Sequence, residues 1–392
     1  MAESLAPFSQ GHRRILSIDA SRGIAMLLVC VSHFVDNCIP CDAPGQLVRY
    51  VRAFTLAATP TFVLLSGILL GFLHYRCHGR FARTKVRLID RGLFLLVVVH
   101  PALVLANAVS MRSLPASSRI FYVTDMLAVT FIVAPYVVER LGRPWRGVLA
   151  LWTFAFSTVL VAILQPERPL WCIIGEVLLG ANPGSSSHSL VVSFPVLPWF
   201  SVYLIATVVG SMIAESYETG QQRRVAIRLL FFAISAMPFA VFLRFLLRWL
   251  FTSWMGRDST TAIALSSTFG KFPPALPYLF LYGGAGLVIV ALAMLAEHQG
   301  RFLPVLGRVS LLGQASLFAF VLQYVVYGVA SRFSTSLHGI QLLALFLLTL
   351  VVIYLPSVYW SKQGYNRRFT VGYAQFVKSR EQSQDHRDGS LV

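Results

Sequence analysis

The densest set of ionisable residues in an apolar setting lies near the N-terminus. Asp19, Arg22 and His33 fall within one run whose other residues are mostly apolar. An ionisable group inside a membrane segment costs about 3 kcal/mol on insertion scales, so each is a functional candidate. On a helix Asp19 and Arg22 are three apart, share a face and can pair. From Arg22 to His33 the helix rises about 16 Å and turns about 1100°, close to three full turns. The two side chains therefore project from nearly the same face, the arginine near one end and the histidine deeper. That layout suits a passage with a cationic mouth and an imidazole further in. The alternative gives Arg22 to the lipid headgroups and leaves His33 capping the far end of its helix.

Such a helix needs a membrane around it, and the composition supplies the argument. The chain has 392 residues, of which 56% are apolar, 13% aromatic and only 12% charged. The charged fraction is about half the roughly 25% of soluble domains. Mean hydropathy is +0.68. These values exclude a soluble globular protein, a disordered chain, collagen and a coiled coil. They point to an all-α, polytopic integral membrane protein. Apolar runs at 21–40, 53–73, 90–109, 120–138, 147–164, 190–213, 226–251, 274–296, 310–330 and 340–360 give about ten transmembrane helices. The stretch 169–181 is too short to cross.

The net charge of +17 does not indicate a nucleic-acid partner, because of where the charge sits. With ten crossings, the segments on the side of the termini hold 23 Lys and Arg, and the opposite loops hold 8. The positive-inside rule then places both termini in the cytoplasm. The partner implied is the lipid bilayer, with its anionic headgroups. Residues 1–12 read as a short cytoplasmic tail, 13–376 as one transmembrane domain and 377–392 as a second cytoplasmic tail. The first apolar run lacks a small-residue cleavage site and reads as a retained span.

Other polar residues in apolar surroundings are secondary candidates. Asp125 opens the fourth span, where it could bind acceptor hydroxyls or cap the helix. His100-Pro101 sits within a span and suggests a kink lining a cavity. Trp199, beside Pro195 and Pro198, marks a broken helix; it could stack on a sugar or simply pack. Glu176 lies in the short stretch 169–181, and Arg244 and Arg248, four apart near the outer end of the seventh span, could face an anionic acceptor or reach the headgroups. The cysteines are Cys30, Cys38, Cys41, Cys77 and Cys172. Cys38 and Cys41 form a Cys-Ile-Pro-Cys loop that reads as a thiol pair or local disulfide. Four zinc ligands do not assemble around it, so no metal is expected.

The run Ser17-Ile18-Asp19-Ala20-Ser21-Arg22-Gly23, leading to His33, resembles the first span of the membrane-bound acyltransferase-3 superfamily. The signature there is Arg, ten residues, then His, usually after Asp and followed by Gly. Thr59-Pro60-Thr61-Phe62 through Ser66-Gly67 is similar to that family's second-span segment. Phe194-Pro195-Val196-Leu197-Pro198-Trp199 and Lys271-Phe272-Pro273-Pro274 resemble the bacterial branch related to heparan-α-glucosaminide N-acetyltransferase. Leu306-Gly307-Arg308-Val309-Ser310-Leu311 and Gln314-Ala315-Ser316-Leu317-Phe318 resemble a late Gly-x-x-Ser-Leu segment. Each motif is weak alone, but their order along the chain is more specific. One departure stands out. Many relatives place a histidine where this chain has Gln323. Glutamine can hydrogen-bond but cannot act as a base, and some related branches carry it too.

The resemblance implies an integral-membrane acyltransferase. Such a protein would move an acyl group, most simply acetyl from acetyl-CoA, from the cytoplasm to a sugar or glycan acceptor at or beyond the outer face of a bacterial inner membrane. His33 is the candidate base or transient acyl carrier, since an imidazole with pKa near ~6.5 suits both. Asp19 lies about 21 Å along the helix from His33, too far to orient it, and takes a supporting role beside Arg22. The phosphates of acyl-CoA need cations, which Arg22, Arg83, Lys85 and Arg87 could supply; ordinary positive-inside charge explains the last three equally well. Asp125, Trp199, Lys271 and Gln323 are supporting or acceptor-side candidates. A transporter or flippase fits ten spans with broken helices, and a non-catalytic protein of the same fold fits the loss of the late histidine.

Overall fold

The computed structural model describes residues 15–39, 46–77, 81–111, 113–163, 169–180, 191–192, 194–255, 260–271, 273–334 and 337–379. The N-tail, Arg80, Cys41, Phe272, the loop 182–189 and most of the C-tail lie outside them. The helices are α1 Leu16–Cys38, α2 Gln46–Thr55, α3 Ala58–Arg76, α4 Phe81–Phe94, α5 His100–Met111, α6 Leu114–Ser117, α7 Val123–Arg140, α8 Arg143–Ile163 and α9 Pro169–Leu179. There follow α10 Val196–Glu218, α11 Gln222–Met255, α12 Thr260–Leu265, α13 Leu276–Tyr278, α14 Gly284–His298, α15 Leu303–Gln314, α16 Ser316–Ser334 and α17 Ile340–Lys362. Two short strands, β1 Ile120–Phe121 and β2 Val191–Val192, pair in parallel.

Among the described residues nine helical segments are long and apolar enough to cross a membrane. They coincide with nine of the ten expected spans. The tenth, α7, has 18 residues but carries Asp125 near its start and Glu139 and Arg140 at its end, which lowers its hydropathy. Its path shows that it traverses the bundle. Lys85 of α4 meets Glu139 at 2.6 Å, and His100 of α5 lies 2.9 Å from Asp125. The α4–α5 rod and α7 are therefore antiparallel neighbours over nearly the same length. At about 1.5 Å per residue, α7 is about 27 Å long, close to the ~30 Å hydrocarbon thickness. The short stretch around 169–181 forms α9, of 11 residues, as its length required.

Burial separates the helices into a centre and a rim. The apolar windows of α1, of α2–α3 and of α10 are 61–67% buried, whereas those of α11 and α17 are 28% and 17% buried. The rim helices turn Phe231, Phe242, Phe245, Trp249, Leu347, Val351 and Leu355 outward, as lipid-facing surfaces must. At the centre, backbones approach until side chains no longer fit. A Cβ on Gly313 would sit 1.9 Å from the Asp19 carbonyl oxygen, so the α1–α15 crossing requires glycine. The α3–α10 crossing makes the same demand at Gly71, whose Cβ would meet the Thr207 carbonyl oxygen.

Where α4 passes into α5 the helix widens into a π turn over Leu95–Val99, followed by His100-Pro101. Proline lacks the N–H that would close the preceding turn, and the wider turn accommodates the loss. The expected irregularity is present, and it re-aims His100. At the opposite end Asp90 of α4 fixes the chain that follows α17. Its carboxylate accepts from the backbone N–H groups of Val371 and Tyr373 at 3.0 and 3.2 Å and from the Thr370 hydroxyl.

Candidate active site

The first helix presents its polar residues as the spacing required. Arg22 Nη1 is 4.0 Å from Asp19 Oδ1, and Arg22 Nη2 donates to Ser316 Oγ at 2.8 Å, at the start of α16. Eleven residues later, the half-buried His33 ring stands edge-on to Tyr324 at 5.2 Å and tilted to Phe320 at 6.1 Å. Both Arg22 and His33 therefore face α16, which runs beside α1 in the same direction. Asp19 stays with the arginine and does not reach the histidine. At its end of the helix His33 is held by aromatic edges, so it is not merely a terminal cap.

Lys271 joins this region from the segment before α13. Its ammonium lies 5.5 Å from the centre of the Phe194 ring and is close enough to Asp36 and His33 to interact with both through space. Burial pushes the Lys271 pKa below the usual lysine value, and the Asp36 carboxylate opposes that shift. A cation, an imidazole and a carboxylate thus converge from α1 and a loop some 240 residues away in sequence. Sequence reasoning singled out Lys271 only through a motif, and it did not single out Asp36.

The aromatic contacts continue from Tyr324. Tyr324 meets Tyr122 edge-on at 6.0 Å, and Tyr122 meets His100 at 5.9 Å. His100 Nδ1 lies 2.9 Å from Asp125 Oδ2, which also accepts from the Tyr122 backbone N–H at 2.8 Å. Asp125 is 1% exposed. It caps α7 and orients His100, and its Oδ1 is buried with no hydrogen-bond partner. The capping alternative is therefore realised, with a histidine added to it.

Two acceptor-side candidates stand differently from their sequence roles. Trp199 is fully buried between Phe194 and Tyr278, at 6.2 and 6.4 Å, and its Nε1 has no partner. It packs, and no ring face is left for a sugar. Gln323 is also fully buried, with neither amide atom hydrogen-bonded. An unsatisfied buried amide is costly. It marks a polar spot inside α16, one residue from Tyr324.

The donor-side arginines do not form one cluster. Arg83 and Arg87 are exposed on α4. Lys85 is committed to Glu139 and to the Tyr136 ring, 5.0 Å away. Arg22 lies apart, against α16. Among the described residues no group of three His, Cys, Asp or Glu is placed to hold a metal. Cys38 is buried with a free thiol.

Residues 14–244 match the family model described as heparan-alpha-glucosaminide N-acetyltransferase, catalytic. No curated protein matches the chain. The matched region runs from the start of α1 to the middle of α11. It contains Arg22, His33, the His100–Asp125 pair and the α3–α10 crossing, and it covers more than half of the chain. The protein belongs to the heparan-α-glucosaminide N-acetyltransferase catalytic family.

Proposed function

We propose that the protein is a membrane acetyltransferase that takes acetyl from cytoplasmic acetyl-CoA and delivers it to a carbohydrate at or beyond the outer face of a bacterial inner membrane. In this reading both termini lie in the cytoplasm, supported by the excess of Lys and Arg on their side. The observation that carries the reading is the His33 imidazole. It is half-buried against Tyr324 and Phe320, on the α1 face that also bears Arg22.

In this reading His33 accepts the proton from an amine or hydroxyl of the acceptor sugar. The freed lone pair attacks the thioester carbonyl and forms the new N–C or O–C bond. The C–S bond then breaks, and the departing CoA thiolate takes the proton from His33. Lys271 supplies positive charge for the oxyanion formed on the way, a contribution that is strongest where water is excluded. Tyr324 fixes the ring. The His100–Asp125 pair, joined to Tyr324 through Tyr122, lines the acceptor side.

The test uses purified protein, radiolabelled acetyl-CoA and a glucosamine-terminated oligosaccharide. Label should reach the oligosaccharide with the wild type and be lost with His33→Gln, which keeps hydrogen bonding but removes the base. Movement of the oligosaccharide across proteoliposomes without acetylation would overturn the reading in favour of a transporter.

A further inference from the structure

A cavity of about 580 Å³ opens at the end of the bundle that carries the basic loops. Its walls come from the end of α3, the α7–α8 turn and the last third of α10, and they include His74, Tyr75, Glu139, Arg143, Arg146 and Ser211. The volume falls within the roughly 300–1,000 Å³ typical of small-molecule sites. It shares no lining residue with the region around His33.

The unusual residue is Arg146. It is 3% exposed, yet among the described residues its guanidinium meets only hydroxyls: Nη1 donates to Thr207 Oγ1 at 3.2 Å and Nη2 to Ser211 Oγ at 3.3 Å. Its Nε is buried with no partner. The acidic groups nearby are committed elsewhere. Glu139 binds Lys85 at 2.6 Å, and Glu215 binds Arg143 at 2.5 Å. Arg143 also stacks over the Tyr75 ring at 5.2 Å. A buried guanidinium without a counter-ion carries an uncompensated desolvation cost. Here it has a spare N–H and an adjoining cavity in which an anion could offset that cost.

The local backbone points the same way. Gly142 and Arg143 form the N-terminus of α8, a helix of 21 residues. Its dipole places partial positive charge at the cavity wall, where phosphate is favoured. Arginine's planar fork suits phosphate oxygens better than a lysine would.

We propose that this cavity is a phosphate-binding subsite, with Arg146 as its buried anchor and Arg143 at its rim, that holds the phosphates of the acyl donor. The assignment of the donor rests on the acetyltransferase reading above. The same chemistry would also accept an anionic lipid headgroup, so the experiment must separate the two sources.

CoA, inorganic pyrophosphate and acetyl-pantetheine, which has no phosphate, would be titrated into protein held in phosphatidylcholine nanodiscs. Arg146→Gln should weaken CoA and pyrophosphate binding by about tenfold to a hundredfold, the worth of one or two charge-assisted hydrogen bonds. Acetyl-pantetheine binding should be unchanged. Should Arg146→Gln not fold, Arg143→Gln at the partly exposed rim should weaken CoA several-fold. An unchanged CoA affinity in the folded variants overturns the proposal. If the variants lose co-purifying phosphatidylglycerol but keep CoA affinity, the cavity belongs to lipid and the donor assignment falls. If the wild type transfers no acetyl group while pyrophosphate binding still depends on Arg146, the acetyltransferase reading fails and the phosphate subsite stands.

Discussion

The two polar regions of this bundle are built on opposite plans. Around His33 the reactive group is wrapped in rings, with Tyr324, Phe320, Tyr122 and Phe194 surrounding an imidazole, a lysine and the His100–Asp125 pair. Around Arg146 the charge is held by hydroxyls, near a helix N-terminus and beside open volume. Aromatic walls exclude water without competing for protons, which suits proton transfer. Hydroxyls hold a permanent cation in place, which in the proposed reading leaves it able to take a mobile anion. In the proposed reading the chemistry and the recognition of charge are handled at separate depths of the same bundle.

The largest effect is expected at His33. His33→Gln should lower turnover by about 10²–10⁴, the range for a positioned acid–base group. CoA affinity should stay within error by titration, because the cavity at Arg146 is untouched. A variant that lost CoA binding as well as turnover would merge the two regions and break the comparison.

A smaller effect, on stability more than on turnover, is expected at Asp125. Its carboxylate satisfies the Tyr122 N–H and orients His100 while almost wholly buried. Asp125→Ala leaves both without their acceptor and should cost about 1–3 kcal/mol, read as a lower unfolding midpoint in detergent. His100→Ala removes only the ring, so it should destabilise less. If the two variants behaved alike, the helix cap would be irrelevant and the His100–Asp125 hydrogen bond would carry the whole effect.

These examples show what could be read from the sequence. Arg22 and His33 were legible because both lie on one helix, where spacing alone fixes the face. The expectation that Asp19 pairs with Arg22 held for the same reason. The pairing of His100 with Asp125 was not legible, although each was singled out. It depends on α7 running antiparallel to α5, which is a tertiary fact. Tyr324 was missed because nothing in its sequence marks it apart from other aromatic residues, and its neighbour Gln323 drew the attention. Arg146 was counted only as positive-inside charge. Its i, i+3 spacing from Arg143 at a helix start was the available signal, but burial is what distinguishes it from Arg140. The crossing helices themselves were legible nearly throughout, since hydropathy at about 20 residues per span is a strong signal. Only α7 blurred, and it did so through the charges that tie its two ends.

The smallest effect sharpens the comparison most. Arg83 and Arg87 were donor-side candidates by sequence, yet both are exposed on α4, whereas Lys85 touches a group lining the cavity, Glu139. Exposed charges separated from a ligand by about a Debye length of ~8–10 Å act weakly and are screened by salt. The double substitution Arg83→Gln with Arg87→Gln should therefore raise the KM for acetyl-CoA by about twofold or less at physiological salt, with a larger shift at low salt. Arg146→Gln should give a larger rise that changes little with salt, because its charge is buried. Steady-state kinetics at two ionic strengths would separate the two patterns. If the exposed pair gave the large, salt-insensitive change, the donor phosphates would sit on the α4 surface, and the buried arginine would be a structural cation held by two hydroxyls.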